Sequence, residues 1–317
     1  MNRSRTPVIP VDSCHQNRKN RMMSRATLIT VISPADNPND DPGFFLADFE
    51  VPQARVTDLG LSRGDGVFET IGIIEGHPQA LEAHLRRLAH SARLLDMPDP
   101  NEAVWRAAVQ AGIADYQKRN GPDGETFAKL IYTRGVEGQM APSGWVFVDL
   151  GEDFSAARAG IRVITLDRGY RHDVAHHSPW LLTGAKTLSY AVNRAALREA
   201  TRRGVDDVIF VSSDGYVLEG PTSTVVMLTQ DGIVTPATNQ GILAGTTQET
   251  AFNFFRTRGY SASYREIETG ELAHAAGLWL VSSVRQAAPV TWIDGRSVPV
   301  DVQLTNQLNA ELLTPRH

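Results

Sequence analysis

The stretch LLTGAKTLSY, residues 181–190, decides the reading of this chain because of the lysine near its centre. Of 31 lysines and arginines in 317 residues only four are lysine, at positions 19, 118, 129 and 186. The chain writes arginine almost everywhere else, and a guanidinium cannot serve where a nitrogen must lose its proton and attack a carbonyl carbon. Lys186 is therefore the first candidate for a lysine that condenses with a carbonyl. A lysine placed by chance is the plain alternative on composition alone.

Working outward, 42% hydrophobic residues over this length can fill sizeable cores, and the length suits two domains better than one. No apolar run of membrane-spanning length and no secretory signal can be read, so the cytoplasm is the expected compartment. The single Cys14 excludes intrachain disulfides and cysteine metal clusters. Residues 1–25 carry six basic groups against Asp12, which leaves the rest of the chain with ten more acids than bases. An acidic body argues against nucleic acid as a partner. The basic start reads as a disordered extension, and the adjacent Met22 and Met23 offer another start site.

The residues predict a small α+β domain over 26–150, a polar linker over 151–160 and a larger domain over 161–317. TLITVI (27–32) and FFLADFEVPQARV (44–56) read as strands, and GVFETIGIIEGHPQAL (66–81) reads as a hairpin turning at Glu75-Gly76. Helices fit 81–96 and 101–118, the second capped by Asn101, and strands fit 126–134 and 144–150. In the second half we expect strands at 161–167, 206–212, 222–228, 262–267, 278–283 and 288–293. Helices there fit 188–203, with Thr187 as cap, and 246–257.

A carbonyl cofactor such as pyridoxal 5'-phosphate needs more than an amine. It needs an acid for the pyridine nitrogen, a donor to the ring oxygen and a phosphate cradle. In DGYVLEGPTSTVV (214–226), Glu219 stands beside Gly220, where close backbone approach is allowed. A solvated loop carboxylate is the bland reading. In GILAGTTQET (241–250), Gly245, Thr246 and Thr247 open a helix whose free N–H groups can meet an anion. A capping box from Thr246 to Glu249 is the other reading.

Taken together, RGDGVFET (63–70), LEAHLRRL (81–88), GAKTLSY (184–190), DDVIFVSSDGYVLEGPTSTV (206–225) and TPATNQGILAGTT (235–247) resemble the class IV aminotransferases. These are the fold type IV pyridoxal-phosphate enzymes, with a two-domain α+β fold like that of D-amino-acid aminotransferase. The resemblance spans roughly residues 40–295. It implies pyridoxal 5'-phosphate as cofactor, Lys186 as the lysine that carries it, and Glu219 as the carboxylate on its ring nitrogen. It further implies Tyr190 on the ring oxygen, with a core tyrosine as the alternative. Arg87, from a His-x-x-Arg-Leu pattern that begins at His84, falls at the phosphate together with Thr246, Thr247 and Ser283. Arg285 and Tyr132 are candidate contacts to a small amino substrate, with an ordinary surface arginine the alternative for the first. A homodimer with its active site near the subunit interface is also implied.

Three positions depart from the family: Thr224 for a usual Asn, Gln248 for a usual Arg, and Pro221 for a small residue. They put loop geometry in question and leave the charged partners of the cofactor in place. GAKT lacks the earlier glycine of a phosphate loop, RGD at 63–65 belongs to the longer family motif, and HDVAHH (172–177) has only Asp173 near its histidines, so no metal is expected. The branches of the family are aminotransferases of branched-chain and D-amino acids, and aminodeoxychorismate lyase. Neither an Arg-x-His trap nor a YIRP-like strand occurs in KLIYTRGVEGQMAPSG (129–144). TRGVEG with GDGVFET is most similar to the lyase branch, which releases pyruvate and 4-aminobenzoate, a folate precursor. A cofactor-free descendant of the fold is the competing class, and the presence of both Lys186 and Glu219 argues against it.

Overall fold

The computed structural model describes residues 26–32, 43–121, 124–139 and 141–315, so the expected tail over 1–25 lies outside the described residues. The first half contributes β1 (Thr27–Val31), β2 (Phe44–Ala47), β3 (Gly66–Ile74), β4 (His77–Pro78), β5 (Thr126–Thr133) and β6 (Ser143–Leu150). They form one antiparallel sheet in the order β2-β1-β6-β5-β3-β4. β3 and β4 turn at Glu75 and Gly76, with φ of 50° and 81°. Two consecutive left-handed residues match the twist of the flanking strands, and glycine takes the second at little cost.

Two helices cover one face of this sheet. Leu81–Leu94 and Glu102–Asn120 bury Leu85, Leu88, Trp105 and Ile113 against Ile71, Leu130 and Val146. Asn101 caps the second helix, its side chain accepting from the N–H groups of Ala103 and Val104. Alternation along β5 decides what each of its residues meets: Ala128, Leu130 and Tyr132 go to the helix-covered core, and Lys129 takes the other face.

The second half supplies β7 (Ile161–Asp167), β8 (Asp207–Val211), β9 (Thr224–Thr229), β10 (Gly232–Pro236), β11 (Ala262–Arg265), β12 (Gly277–Ser282), β13 (Gln286–Ile293) and β14 (Arg296–Ser297). Their order is β11-β10-β9-β12-β13-β7-β8, with β14 paired to β13, and both parallel and antiparallel neighbours occur. Phe252 and Phe255 of the helix Thr246–Arg256 pack with Trp279 and with Leu308 of the helix Val302–Leu312. That last helix was not expected, and Asn309 docks it by pairing both its amide groups with the backbone of Ala287 at 2.9 Å.

Several expected boundaries shift for tertiary reasons. The strand expected over 44–56 ends at Ala47, and a short helix Leu59–Arg63 precedes β3. The helix expected from 188 begins at Ala191, and Thr187 does not cap it. Instead residues 186–188 run along β3, where Phe68 N–H donates to the Lys186 carbonyl at 3.0 Å and Leu188 N–H donates to Gly66 O at 2.8 Å. The lysine segment, which follows β7 of the second sheet, is thereby held by the first. The 151–160 link also carries a short helix, Ser155–Ala159. From it Arg158 pairs with Glu125 of the first half and donates from Nε to the Arg285 carbonyl of the second at 3.0 Å.

Candidate active site

Between the two sheets lies a cavity of about 600 Å³. β3 brings Phe68 to its wall, the helix Leu81–Leu94 brings Arg87, and the pinned segment brings Lys186. The amine of Lys186 sits 4.6 Å from the centre of the Phe68 ring, and its backbone N–H donates to Ser91 Oγ at 3.1 Å. Burial, with the charge of Arg87 beside it, pushes the amine down to about 8. A substantial neutral fraction therefore exists near neutral pH, which is the state a nucleophile or base requires.

Beyond β8 the chain turns at residues 213–215 and runs back along it to Glu219. Its backbone carbonyl accepts from Phe210 N–H at 2.8 Å, and Leu243 N–H donates to Oε2 at 3.1 Å. Burial pushes the carboxyl up, opposed by the Leu243 N–H and by the charges of Arg168, Lys186 and Arg87. Tyr190 lies on the same wall, its ring edge-on to Phe68 at 5.3 Å, and its hydroxyl donates to the Pro221 carbonyl. Burial raises that phenol to about 12, so it stays a proton donor at any working pH.

At the other end three hydroxyls converge. Thr246 Oγ1 and Thr247 Oγ1 stand 3.4 and 3.3 Å from Ser283 Oγ, at the start of the helix Thr246–Arg256. The capping box is not formed: Gly245 is the N-cap and makes no side-chain cap, while Glu249 pairs with Arg256. A β-carbon on Gly245 would stand 2.4 Å from Thr224 Oγ1, so the bend under the hydroxyls requires glycine. Of the other two departures from the family, Gln248 turns away and accepts from the Tyr264 hydroxyl at 2.8 Å, and Pro221 offers its carbonyl to Tyr190 and Asn193.

Sequence reasoning did not single out Glu69. Fully buried on β3, it takes Arg87 Nε on Oε1 at 2.6 Å, Arg87 NH2 on Oε2 at 2.7 Å and His84 Nδ1 on Oε2 at 2.7 Å. Burial works to raise this carboxyl, but Arg87 and His84 together hold it well below the usual range. His84 is itself pushed down, chiefly by burial, and is neutral at pH 7. With Nδ1–H given to Glu69, its Nε2 is an acceptor 3.1 Å from Thr246 Oγ1 and 3.2 Å from Ser283 Oγ. One lone pair takes one hydroxyl, which leaves the other and Thr247 to donate to an anion. A charged residue in a strand whose other residues are apolar but for Thr70, opposite a His-x-x-Arg helix, is the signal that marks it in the sequence.

The remaining candidates separate. Arg285 lines the cavity, and its NH1 donates to the buried Asp207 at 2.6 Å while Nε and NH2 are buried without partners. Tyr132 does not reach the cavity: its ring packs edge-on against Trp105 and its hydroxyl donates to Pro98 O at 3.0 Å. Three residues from Lys129 on one strand, it must face the opposite way, and its candidacy as a substrate contact is withdrawn. At His172 the structure adds Asp214, whose carboxylate lies 2.7 Å from Nδ1 and is shared with Arg171 at 3.4 Å.

The donor set fits a phosphorylated pyridine aldehyde. Uncapped helix N–H groups and the two hydroxyls that His84 leaves free suit the phosphate, a carboxylate suits the ring nitrogen, and an amine of lowered proton affinity suits the carbonyl carbon. The amino-transferase class IV family pattern matches residues 66–293. The chain belongs to that family. Within it, the bifunctional aminodeoxychorismate lyase/D-amino acid transaminase of Mycobacterium tuberculosis is 46% identical over 258 residues, covering 78% of this chain and 89% of its own. The structure of a fold IV transaminase from Curtobacterium pusillum superposes with a TM-score of 0.90 at 67% identity, covering 92% of this chain and 98% of its own. A hypothetical aminotransferase from Mycobacterium tuberculosis, solved with pyridoxal phosphate bound, gives a TM-score of 0.82 at 40% identity, with coverages of 92% and 100%. This class IV protein is a pyridoxal-phosphate-dependent lyase or aminotransferase of fold type IV. Among the described residues no helix is long and apolar enough to cross a membrane.

Proposed function

We propose that this class IV enzyme is an aminodeoxychorismate lyase, converting 4-amino-4-deoxychorismate to 4-aminobenzoate and pyruvate, with transamination of D-amino acids as a second activity of the same site. The observation that carries this reading is a surplus of cations in the cavity. Besides Lys186 it holds Lys129, whose amine lies 5.5 Å from the Phe68 ring and meets no carboxylate among the described residues, and Arg194 near it. A substrate with two carboxylates matches that surplus, and 4-amino-4-deoxychorismate carries two. The two activities in the name of the 46% identical relative support both parts of the proposal.

Thr246, Thr247 and Ser283 would hold the phosphate, backed by His84 and Arg87, and Glu219 would hold a proton at the ring nitrogen. Bound pyridoxal phosphate supplies an electron-accepting ring for the pair released when a proton leaves the carbon bearing the substrate amine. Lys186 Nζ takes that proton; in the lyase reaction the C–O bond to the enolpyruvyl group on the adjacent ring carbon breaks, its oxygen keeps the electron pair, and the proton passes to the departing group, which leaves as pyruvate. Phe68 and Tyr190 wall the amine from water. We also propose a homodimer in the cytoplasm. Val56, Trp180 and Val192 are 81, 71 and 60% exposed, and the Ser189 Oγ to Gly64 O bond joins the segment just before Val192 to the end of the helix Leu59–Arg63. Sedimentation would show a monomer if the dimer is wrong.

The test of the activity is to give the loaded protein aminodeoxychorismate and follow both products. Equimolar 4-aminobenzoate and pyruvate support the lyase. Neither product, alongside keto-acid formation from D-alanine, leaves the aminotransferase alone.

A further inference from the structure

Arg168 has no carboxylate partner among the described residues, although its NH1 is buried without any hydrogen bond. Its guanidinium lies 4.3 Å from the centre of the Phe210 ring, the residue whose N–H donates to the Glu219 carbonyl. Nε donates to the Tyr170 hydroxyl at 3.3 Å, and NH2 donates to Asn193 Oδ1 at 3.1 Å. Asn193 passes the contact on, its Nδ2 donating to the Pro221 carbonyl at 2.7 Å. Thus Arg168 touches the Glu219–Pro221 turn from two sides, through Phe210 and through Asn193. Arg168 is half-buried, and a guanidinium with a buried NH1 that makes no hydrogen bond and no carboxylate in contact is unfavourable for stability, so its presence calls for a reason in the site.

We propose that Arg168 is a positioning residue that, through Asn193 and the Glu219–Pro221 turn, keeps Glu219 an aligned carboxylate facing the ring nitrogen. The proposal rests on the pyridoxal-phosphate reading of the cavity and adds a residue that the motifs did not mark. The groups acting on Glu219 are Arg168, Lys186 and Arg87, with Tyr170 and Tyr190 beside it and Asp207 acting on Tyr190. Burial alone favours the neutral acid at Glu219, and Arg168 opposes it without occupying the cavity. Lys186 and Arg87 also oppose it, but they face the cavity and have tasks there. Removing Arg168 makes the carboxylate a stronger base, so the proton shared with the ring nitrogen moves toward Glu219.

The test uses the holoenzyme loaded with ¹⁵N-labelled pyridoxal phosphate, in wild type, Arg168→Gln and Arg168→Lys. The expected result is a protonated ring-nitrogen signal in wild type and in Arg168→Lys, and a shift toward the unprotonated signal in Arg168→Gln. Turnover should fall about tenfold in Arg168→Gln, the equivalent of one pKa unit in the barrier, with KM held within about threefold. In a Glu219→Gln background the further loss on Arg168→Gln should nearly vanish, because the arginine acts through that carboxylate. An unchanged nitrogen signal, or an equal loss in both backgrounds, overturns the proposal. Should Arg168→Gln not fold, Asn193→Asp neutralises the arginine in place and must move the signal the same way. The nitrogen signal needs no substrate. A normal response without 4-aminobenzoate formation sinks the substrate assignment alone, and an unresponsive signal in an active lyase sinks this inference alone.

Discussion

Replacing Glu69 with glutamine removes the negative charge that holds Arg87 and His84 behind the hydroxyls of Thr246 and Ser283. Glu69 is fully buried, and the Arg87 side chain it receives is only 10% exposed. The glutamine amide could still accept one bond, but Arg87 would remain as a buried cation with no charged partner, left with the Ala244 carbonyl at 2.8 Å and His84 Nδ1 at 3.4 Å. Breaking a buried pair by removing one charge costs about 3 kcal/mol at the low end. At roughly 2.1 cal/mol/K of unfolding entropy per residue, a chain this long loses about 1.5 °C per kcal/mol, so the apo-protein should melt about 4–5 °C lower. Differential scanning calorimetry of both apo-proteins at neutral pH reads this directly. The pH dependence has a definite sign. The carboxyl is depressed in the fold from an ordinary value of 4.5, so its contribution is present above pH 4.5 and is lost as the pH falls below it. The gap between variant and wild type should therefore be full at pH 7 and shrink on acidification. A melt within about 1 °C of wild type at pH 7, or a gap that grows in acid, would refute the ion-pair account.

Three other outcomes are expected. In the apo-protein the reaction of Lys186 with an amine-directed reagent should show a pH midpoint near 8, and a midpoint close to the ordinary 10.5 would mean that the amine is not desolvated. Gly245→Ala should weaken pyridoxal-phosphate binding about tenfold or more, because its β-carbon would stand 2.4 Å from Thr224 Oγ1. Thr224→Ala in the same chain should recover part of that loss, and equilibrium titration with the cofactor measures both. Tyr132→Phe should lose about 1 kcal/mol of stability, the net worth of its bond to Pro98, while turnover stays at the wild-type level. A fall in turnover would restore Tyr132 as a substrate contact.

Local signals in this sequence read well where local chemistry makes the structure. Asn101 as a cap and Glu75-Gly76 as a turn are both found as expected, since each is decided by its own backbone. The helix expected from 188 is different. Its apolar spacing is real, but Lys186–Leu188 are drawn into pairing with Gly66–Phe68, more than a hundred residues away, and that pairing delays the first turn. Glu69 escaped notice because its partners lie 15 and 18 residues on and only the fold turns them toward it. Other omissions were avoidable. Leu304, Leu308 and Leu312 repeat every four residues and all are buried, which is a legible helix. Counting along β5 from Lys129 to Tyr132 also shows that the two cannot share a face.

The attachment of the lysine segment to β3 bears on how the protein can be cut. Separate expression of residues 26–150 and 161–317 would put Lys186 and Glu219 on one fragment, and the backbone groups of Gly66 and Phe68 that orient the amine on the other. Arg158 of the link adds a second crossing, to Glu125. Each fragment would have a sheet and most of a core, yet neither would have a site. Complementation of the two fragments should therefore restore cofactor binding in proportion to their reassociation, which makes bound pyridoxal phosphate a direct reporter of whether the two sheets are docked.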